Sequence, residues 1–276
     1  DRLNSGQYEL ESDFKYVWSE NNKYGKEMIF ALLHETGNNA AEIACHFGPS
    51  DHPEVPGRWQ YYGVSLPFWR SYDKEDPRRE FFYYDYTGDA KRDDQSDYGF
   101  HYMVPEEGVT VVPNDTTKYM QNVATMKYTY DMISDAYYDG RTICIFRLSD
   151  VILCKAEIEN NLNGPAAALP YLNQIRARAG APEYGKHNRF PAPSTKEAMN
   201  DAILKERGYE LVFEFQRRAD LIRFGKYEEV VNAHLKKLGI AQPTNVTSSL
   251  RYFPYPLNDA QLNPNLAAEN PSRLPK

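Results

Sequence analysis

Three glutamates spaced four residues apart, Glu206, Glu210 and Glu214, are the first side chains in this sequence that could do chemistry. Two carboxylates that flank a glycosidic bond can hydrolyse it as acid and base. On a helix, however, this spacing places like charges on one face, where they repel each other unless cations meet them. Four nearby arginines can supply those cations: Arg207, Arg217, Arg218 and Arg223. Because arginine partners keep carboxylates ionised, we expect a structural role for these glutamates and no enzyme activity.

Other groups of potentially reactive residues are weaker. Cys45, His46 and His52 lack a fourth zinc ligand at a suitable spacing. An acidic run could hold calcium, but it has neither the glycine nor the terminal glutamate of an EF-hand loop, and a solvated charge run is the commoner explanation. Its residues are Asp85, Asp89, Asp93, Asp94 and Asp97. No nucleophile-elbow or phosphate-loop pattern occurs, so we predict no catalytic residue, no metal and no cofactor.

The overall composition excludes some classes of partner. The chain has 276 residues and a formal net charge of −7, with a mean hydropathy of −0.70. No apolar run reaches the length of a membrane span, and an acidic chain without a block of lysine or arginine argues against nucleic acid. The three cysteines cannot all pair. Cys144 and Cys154 are predicted to lie on an apolar helical stretch, as small core residues.

Aromatic residues make up 14% of the chain, with 22 tyrosines, 13 phenylalanines and 3 tryptophans. Tyrosine combines a flat apolar face with a polar rim, which suits a wet binding surface. Stacking on sugar rings is one use of such residues, and filling a loop-rich core is the alternative. Many of them fall in a long irregular region, about Glu35–Pro113, whose aromatic content argues against disorder.

Within that region we predict a ligand site in the loop Gly57–Tyr62. The motivation is a loop flanked by glycine and proline that carries aromatics of the exposed type. The predicted binding residues are Trp59, Tyr61 and Tyr62, with His34, Arg58 and Trp69 as neighbours. The alternative is that Trp59 and Trp69 fix a long loop to the core.

The glutamates lie in Ile203–Tyr227, a stretch without proline that we expect to be helical. Leu204, Gly208, Leu211, Phe215 and Ile222 have the spacing of one buried helical stripe. On this interpretation Glu214 reaches Arg217 and Arg218 from within the same helix. A helix that has both a buried apolar stripe and closely spaced charges of opposite sign is typical of a structural clamp between packed helices.

Further helices are predicted on both sides of a turn at Asn163-Gly164. Leu148, Val151, Ile152 and Lys155 share one face before the turn. After it, Pro165 suits the first helical position and Gly180 suits the end of the helix; the buried face would consist of Ala168, Leu172, Ile175 and Ala179. Small residues such as Ala156 allow close approach, so these two helices would form a tetratricopeptide-like hairpin.

The remaining stretches are predicted to form a second helical pair, strands and an extended tail. Thr195–Phe215 and Ala219–Lys237 would form a second helical pair. Lys26–His34 is predicted to be a strand, and Asn122–Asp131 a strand or an extended lead-in to the helices. The tail, Tyr252–Pro264, is expected to be extended and packed back on the helices.

Several of these stretches resemble the SusD/RagB family of Bacteroidetes outer-membrane lipoproteins. The first resemblance reads Glu206-Arg207, Glu210-Leu211, Phe213-Glu214, Arg217, Asp220-Leu221, Arg223 and Gly225, with Phe215 where the family commonly has glycine. The second reads Arg147-Leu148, Asp150-Val151, Leu153, Ala156-Glu157, Leu172-Asn173, Arg176 and Arg178-Ala179-Gly180. Tyr72-x-x-x-Asp76-Pro77-Arg78-Arg79 is similar to a family turn that is held by salt bridges, and the tail resembles the family's ending.

The resemblance implies a mainly α fold, with tetratricopeptide-like hairpins, a long irregular loop-rich layer and a few short strands. It would make residues 1–276 a C-terminal domain, divided into an aromatic loop layer (1–140), a helical platform (141–240) and an extended tail (241–276). Glu206, Glu210, Glu214, Arg217, Asp220 and Arg223 would then be structural. Family members are about twice as long, so we expect this chain to be the C-terminal portion of a longer protein.

The function that the resemblance implies is capture of a glycan or other nutrient at the cell surface. The partner would be a SusC-like TonB-dependent transporter in the outer membrane, and membrane contact would come only from a lipid anchor that this chain does not contain. Two alternatives remain: a scaffold that docks the transporter without its own ligand site, and a hydrolase acting through the aromatic loop layer.

Overall fold

The protein is described from a computed structural model, which covers residues 6–35, 42–49, 52–55, 58–88, 99–108, 117–131, 140–237, 246–251, 253–263 and 265–266. The chain consists of two compact units, Asp1–Glu214 and Phe215–Lys276. None of the helices in the described ranges is long and apolar enough to cross a bilayer.

Three long helices form the centre of the first unit: α3 (Leu148–Asn163), α4 (Pro165–Arg178) and α5 (Lys196–Glu210). Two short helices, α1 (Ile43–Phe47) and α2 (Leu66–Trp69), precede them. The predicted hairpin is confirmed, since α3 packs along α4 and both contact α5.

The hairpin turns at the glycine that the sequence indicated. Gly164 has a φ of 88°, which residues with a side chain rarely adopt, and Pro165 is the first residue of α4. At the other end α4 stops at Arg178, and Gly180 follows with a φ of 71°. Both predicted helix boundaries are therefore confirmed.

The buried faces of the helices agree with the predicted spacing except at two positions. Ala168, Leu172 and Ile175 in α4 are fully buried. In α3, however, Val151 is 36% exposed and Lys155 is half-buried, whereas Leu153 is fully buried. The inward face of α3 is thus rotated by about one position from the predicted one, because α3 packs against α5 as well as α4.

The prediction of one continuous helical stripe through Ile203–Tyr227 is wrong. The α5 helix ends at Glu210, and a turn follows in which Phe213 and Phe215 have φ values of 61° and 64°. A helix cannot continue through left-handed residues, so Glu214 leaves the helix. Phe215, expected to be buried, is 65% exposed.

Short strands connect the loop-rich part of the first unit. The first pair is antiparallel, β1 (Met28–Leu32) with β8 (Ile143–Arg147), which places Phe30 opposite Phe146. The predicted strand at Lys26–His34 is therefore confirmed. Cys144, expected on a helix, lies instead in β8, because the helical pattern begins only at Leu148.

Two small sheets complete the strands of the described residues. In one, β7 (Asn122–Thr125) pairs antiparallel with both β2 (Val64–Ser65) and β3 (Phe82–Tyr83), so the predicted strand at Asn122–Asp131 is confirmed over its first four residues. The other sheet has the order β4-β5-β6, with β4 antiparallel and β6 parallel to the central β5. Its strands are β4 (Asp85–Thr87), β5 (His101–Met103) and β6 (Thr117–Tyr119).

The core of the loop-rich part is largely aromatic. One cluster surrounds Val123 and includes the stacked rings of Tyr72 and Tyr209, whose centroids are 4.2 Å apart. A second cluster includes Trp18 and Tyr128, with an edge-to-face contact at 5.9 Å. Many tyrosines therefore fill the core, as the alternative interpretation of the composition held.

The second unit contains α6 (Arg217–Arg223), α7 (Tyr227–Lys237) and α8 (Leu257–Leu262). The tail is not extended throughout as predicted, because Leu257–Leu262 is helical and Leu262 is 85% exposed. Within this unit Arg218 donates to the Leu250 carbonyl at 2.8 Å. The fold class is confirmed: a mainly α protein with helical hairpins, a loop-rich layer and short strands.

Candidate functional site

Three of the predicted binding residues form one exposed aromatic cluster with a fourth, His46. Trp59 and Tyr61 lie side by side, with ring centroids 5.4 Å apart and ring planes 33° apart. The His46 ring lies 5.2 Å from Trp59, 5.4 Å from Tyr61 and 6.3 Å from Tyr62. The exposed fractions are 37% for Trp59, 64% for Tyr61 and 56% for Tyr62. These rings present an apolar surface with polar edges, which suits stacking against a ligand.

Helix α1 fixes the backbone of this loop. The amide of Trp59 donates to the Cys45 carbonyl at 2.8 Å, and that of Tyr62 donates to the His46 carbonyl at 3.2 Å. Carbonyls at the end of a helix have no partner within it, so the short helix offers two acceptors to the loop. The Tyr62 ring also lies 5.2 Å from Phe47, at the end of the same helix.

A second attachment joins the loop to β7. Gln60 has a φ of 48°, and its side-chain amide donates to Asn122 Oδ1 at 3.1 Å. Gly63 lies against the same side chain, since a Cβ at Gly63 would overlap Asn122 Oδ1. The positions of Tyr61 and Tyr62 therefore depend on close packing of Gly63 against Asn122.

The remaining predicted binding residues do not belong to the exposed aromatic cluster. Arg58 is only 4% exposed, and its Nη1 is 3.5 Å from the Cys45 sulfur, so it supports the loop from below. Trp69 is 5% exposed, donates its indole N–H to the Arg79 carbonyl at 3.2 Å and has the Arg79 guanidinium over its ring. Trp69 is thus a core residue, and its assignment to a ligand surface is wrong.

His34 is half-buried, and its Nδ1 lies 3.1 Å from the Arg141 carbonyl. Gly57 lies outside the described residues. Sequence reasoning missed His46 as part of the aromatic cluster, because it considered this residue only as a zinc ligand. The i, i+4 spacing of Glu42 and His46, whose side chains are 3.7 Å apart across the start of α1, indicates only a helical pair, so no local signal marked the aromatic contacts of His46.

The three glutamates belong to a buried network of charges, not to an open cleft. Glu206 accepts from Arg78 at 2.6 Å and from Arg176 at 2.7 Å. Glu210 accepts from Arg78 at 3.0 Å and from Arg147 at 2.7 Å, and it also pairs with Arg178. Each of these side chains is at most 4% exposed.

Glu214 continues the network from the turn after α5. It accepts from Lys127 Nζ at 2.6 Å and from Arg147 Nε at 2.7 Å. Arg147 also donates to Glu27 at 2.5 Å. Glu214 therefore pairs with groups on other segments of the first unit, whereas the sequence interpretation paired it with Arg217 and Arg218 along one helix.

The cations that neutralise the glutamates are mostly not those predicted. Arg207, expected to serve them, pairs with Asp150 on α3 at 2.7 Å. The actual partners come from four other segments: Arg78, Lys127, Arg147, Arg176 and Arg178. Asp76 holds Arg78 at 2.7 Å and caps the turn Pro77–Glu80, so the predicted salt-bridged turn is confirmed.

Burial and charge act in opposite directions on these carboxyl groups. Burial alone would raise the pKa of Glu210, but Arg178, Arg147 and Arg78 outweigh it and hold the pKa below its usual range. Glu214 behaves in the same way, with burial opposed by Arg147 and Lys127, and its pKa is also lowered. Since a catalytic acid needs a raised pKa, the network has the properties of a structural clamp.

Three other residues with predicted structural roles lie in the second unit. Arg223 binds Asp220 through Nε at 3.1 Å and Nη2 at 3.0 Å. Asp220 is buried, and Arg217 is the first residue of α6.

The described residues include no cluster of three histidine, cysteine, aspartate or glutamate side chains that could hold a metal. His52, considered with Cys45 and His46, packs its ring 4.7 Å from Tyr83. Of the acidic run, Asp85 lies 2.6 Å from His101, while Asp89, Asp93, Asp94 and Asp97 lie outside the described residues.

Comparison with known proteins gives consistent matches. SusD-like protein P25 of Formosa agariphila is 39% identical over 120 residues, which cover 44% of this chain and 22% of that protein. The starch-binding protein SusD of Bacteroides thetaiotaomicron is 28% identical over 137 residues, 49% of this chain and 22% of that protein.

A solved structure shares the fold. Surface glycan-binding protein A from Bacteroides thetaiotaomicron, in complex with laminarihexaose, superposes with a TM-score of 0.63 at 21% identity, over 94% of this chain and 55% of that chain. The matches thus span about a fifth of the two curated relatives and about half of the solved chain. A model of the SusD family matches residues 26–272, which is most of the sequence, and the chain therefore belongs to the SusD family.

Proposed function

We propose that this protein binds a glycan at the bacterial cell surface and delivers it to a SusC-like TonB-dependent transporter in the outer membrane. The observation that carries the binding role is the exposed cluster of Trp59, Tyr61, Tyr62 and His46. Aromatic faces stack on the apolar faces of sugar rings, and the polar edges of the same residues bond to hydroxyl groups. The named relatives support this ligand class, since one is called a starch-binding protein and the solved one holds laminarihexaose.

The mechanism we propose is recognition without chemistry. The carboxylates that could have served in hydrolysis are buried and paired with arginine, which leaves the aromatic surface to act by contact alone. Outer-membrane location and the transporter partner are expectations from the family, so they form part of the proposal.

Binding to the aromatic cluster is tested by calorimetry with a glycan panel that includes laminarihexaose and maltoheptaose. We expect Trp59→Ala to weaken binding of the recognised glycan about tenfold, because a stacked ring and its apolar contact are lost. Tyr24→Ala is the matched control, since Tyr24 is 77% exposed and lies outside the cluster. Unchanged affinity in Trp59→Ala, with an unchanged unfolding midpoint, would contradict the site.

A second candidate function is docking of the transporter without glycan recognition by this part of the protein. It is favoured by an exposed apolar stripe on α3, where Val151, Ile158 and Leu162 are 36%, 50% and 76% exposed. Their offsets of 0, 7 and 11 place them on one helical face. Co-purification with a co-expressed transporter tests this function: loss of the complex in Ile158→Glu, together with no binding across the glycan panel, would favour it.

A further inference from the structure

The first unit also contains a pocket that is separate from the aromatic cluster. It has a volume of about 370 Å³ and lies between the turn at residues 70–76, α5, and the connector that joins α4 to α5. Its lining shares no residue with the aromatic cluster. The volume is at the lower end of the range for small-molecule sites, about 300–1,000 Å³, so the pocket suits a small group and not a folded partner.

The lining of this pocket is strongly cationic although the whole chain is acidic. It contains five basic residues, which are Arg70, Lys74, Arg176, Arg189 and Lys205. Among the described residues, the carboxylates that line it are Asp73 and Asp76. Both are already paired, Asp73 with Arg189 at 2.8 Å and Asp76 with Arg78 at 2.7 Å.

Three of the basic residues retain their charge for a ligand. Within the described residues, Lys74 and Lys205 are exposed and make no ion pair. Arg70 donates to the Pro105 carbonyl, a neutral partner that leaves its charge uncompensated. A concave surface lined by charge of one sign concentrates counter-ions and guides them inward.

Arg176 provides a buried cation at the same pocket. It is 2% exposed, and it donates through Nε to the Pro182 carbonyl at 2.6 Å and through Nη1 to Glu206 at 2.7 Å. Its Nη2 has no hydrogen-bond partner among the residues that the structure describes. The rings of Tyr184 and Phe190 lie 4.8 Å and 4.9 Å from its guanidinium, which places aromatic surface beside the cation.

The outer wall of the pocket is held in place by its own contacts. Asn173 on α4 exchanges two hydrogen bonds with the backbone of Tyr184, at 2.8 Å and 2.9 Å. Arg189 bridges the connector to Asp73 at 2.8 Å and to Glu75 at 2.7 Å. A preformed wall reduces the entropy lost on binding.

From this arrangement we propose that the pocket binds the anionic group, carboxylate or sulfate, of an acidic sugar. Guanidinium and ammonium groups recognise both anions through charge-assisted hydrogen bonds, and the adjacent rings contact the sugar that carries the anion. The sugar part of this inference rests on the proposed function, whereas the preference for negative charge rests on the pocket alone. The protein therefore distinguishes acidic from neutral glycans at Arg70, Lys74 and Lys205.

The test is calorimetry with two matched pairs of oligosaccharides. One pair is tetragalacturonate and its fully methyl-esterified form, and the other is a sulfated galactan tetrasaccharide and its desulfated form. We expect the charged member of at least one pair to bind about tenfold tighter or more and to lose affinity as salt is raised. The pair that shows the larger preference tells carboxylate from sulfate.

Reversing the charge of two lysines that line the pocket tests whether the preference for charged oligosaccharides arises there. The double variant Lys74→Glu, Lys205→Glu should abolish it while leaving the neutral oligosaccharides unaffected, and both lysines are exposed, so folding is not at risk. Lys26→Glu, Lys196→Glu is the control, because it makes the same change of charge at two exposed lysines that do not line the pocket. No preference in either pair, or a preference that survives the first double variant, would overturn the proposal.

The experiment can reject the aromatic cluster and the pocket independently of each other. The double variant Trp59→Ala, Tyr61→Ala tests the aromatic cluster. Weaker binding of both neutral and charged glycans, with the charged member still bound more tightly at high ligand concentration, supports both sites. If that variant binds as the wild type does but the Lys74, Lys205 variant loses the charge preference, the aromatic site is wrong and the pocket stands. The opposite result removes the pocket and keeps the aromatic cluster.

Discussion

Arg147 and Glu210 form an ion pair inside the first unit, with Arg147 Nη1 2.7 Å from Glu210 Oε1 and both side chains 0% exposed. Arg147 precedes α3 at the end of β8, and Glu210 is the last residue of α5. The ion pair therefore joins β8, which is paired with β1, to the end of α5. Because an isolated buried charge is very unfavourable, the pair is stable only with its further partners, Glu27, Glu214 and Arg178.

Removal of Arg147 should destabilise the protein strongly. Arg147→Met leaves Glu27, Glu210 and Glu214 with too few cations, and breaking a buried pair from one side costs roughly 3–5 kcal/mol. We expect a fall of that size in the free energy of unfolding, measured by urea denaturation. Arg189→Met is the control, because Arg189 is 47% exposed and surface pairs contribute about 1 kcal/mol or less. Equal losses in the two variants would contradict a central role for Arg147.

The buried glutamates should make the protein sensitive to acid. The pKa of Glu210 and of Glu214 is lowered in the folded state from an ordinary value of 4.5. The folded state thus binds fewer protons than the unfolded chain, so both residues contribute stability above about pH 4.5 that is lost as pH falls below it. We expect the free energy of unfolding to decline below that pH, as measured by urea denaturation between about pH 3 and 7.

Glu210→Gln tests the source of that decline. The variant is less stable overall, but its stability should depend less steeply on pH in the acid range, because one of the linked carboxyl groups is gone. Glu75→Gln, at a carboxylate that is 60% exposed and paired with Arg189, serves as the control. An acid slope in Glu210→Gln as steep as that of the wild type would argue against this linkage.

Lys127 should act on the alkaline side, where its lowered pKa also makes the free energy of unfolding rise with pH. Its Nζ lies 2.6 Å from Glu214, yet burial lowers its pKa from 10.5 to about 8, with Glu214 opposing the change only in part. Between about pH 8 and 10.5 the folded state has released this proton and the unfolded chain has not. Stability therefore rises with pH in this window, by up to about 1.4 kcal/mol per pH unit from this group.

Lys127→Met removes this contribution. The difference in unfolding free energy between wild type and variant should grow in favour of the wild type from about pH 8 to 10.5. Lys155→Met is the control, since Lys155 is half-buried and paired with Glu159 and its pKa is raised, not lowered. A difference that stays constant over this range would show that the pKa of Lys127 is not lowered.

Substitution of Gly63 should lower the glycan affinity of the aromatic cluster with little effect on the stability of the fold. In Gly63→Ala the new methyl group overlaps Asn122 Oδ1, which displaces the acceptor of the Gln60 hydrogen bond. We expect glycan affinity to fall about threefold to tenfold, since the loop loses its attachment to β7, while the thermal midpoint moves by only a few degrees. Wild-type affinity in this variant would mean that the cluster does not depend on the contact with Asn122.

Phe215 and Phe213 give a pair of substitutions with opposite expected signs. Both have left-handed backbones, which cost a residue with a side chain about 1–2 kcal/mol. Phe215 is 65% exposed, so Phe215→Gly should stabilise the protein by about 0.5–1 kcal/mol after the entropy cost of glycine. Phe213 packs edge-on against Phe47 at 5.0 Å, so Phe213→Gly should destabilise it. Urea denaturation measures the free energy of unfolding of both variants. A loss of stability in Phe215→Gly would show that the left-handed backbone at Phe215 is not strained.

Local patterns predicted the helical hairpin because its signals act over a few residues. Gly164 and Pro165 define a turn by their own backbone restrictions, and the spacing of Ala168, Leu172 and Ile175 defines the inward face of a helix. The same reasoning located the exposed aromatics, since Trp59, Tyr61 and Tyr62 belong to a loop with the composition of a surface. It failed at Phe213 and Phe215, because nothing in the side chains of a phenylalanine marks a left-handed backbone.

The sequence by itself determined that Glu206 and Glu210 would need cations, since their spacing brings like charges together on a helix. Only the tertiary structure decided which cations meet them, because Arg78, Lys127 and Arg147 are distant in the chain and reach the glutamates through packing of separate elements. It also decided that Trp69 is buried while Trp59 is exposed, a difference that depends on what packs over each ring. Burial and pairing between distant segments are properties of the packed chain, and local periodicity carries no information about them.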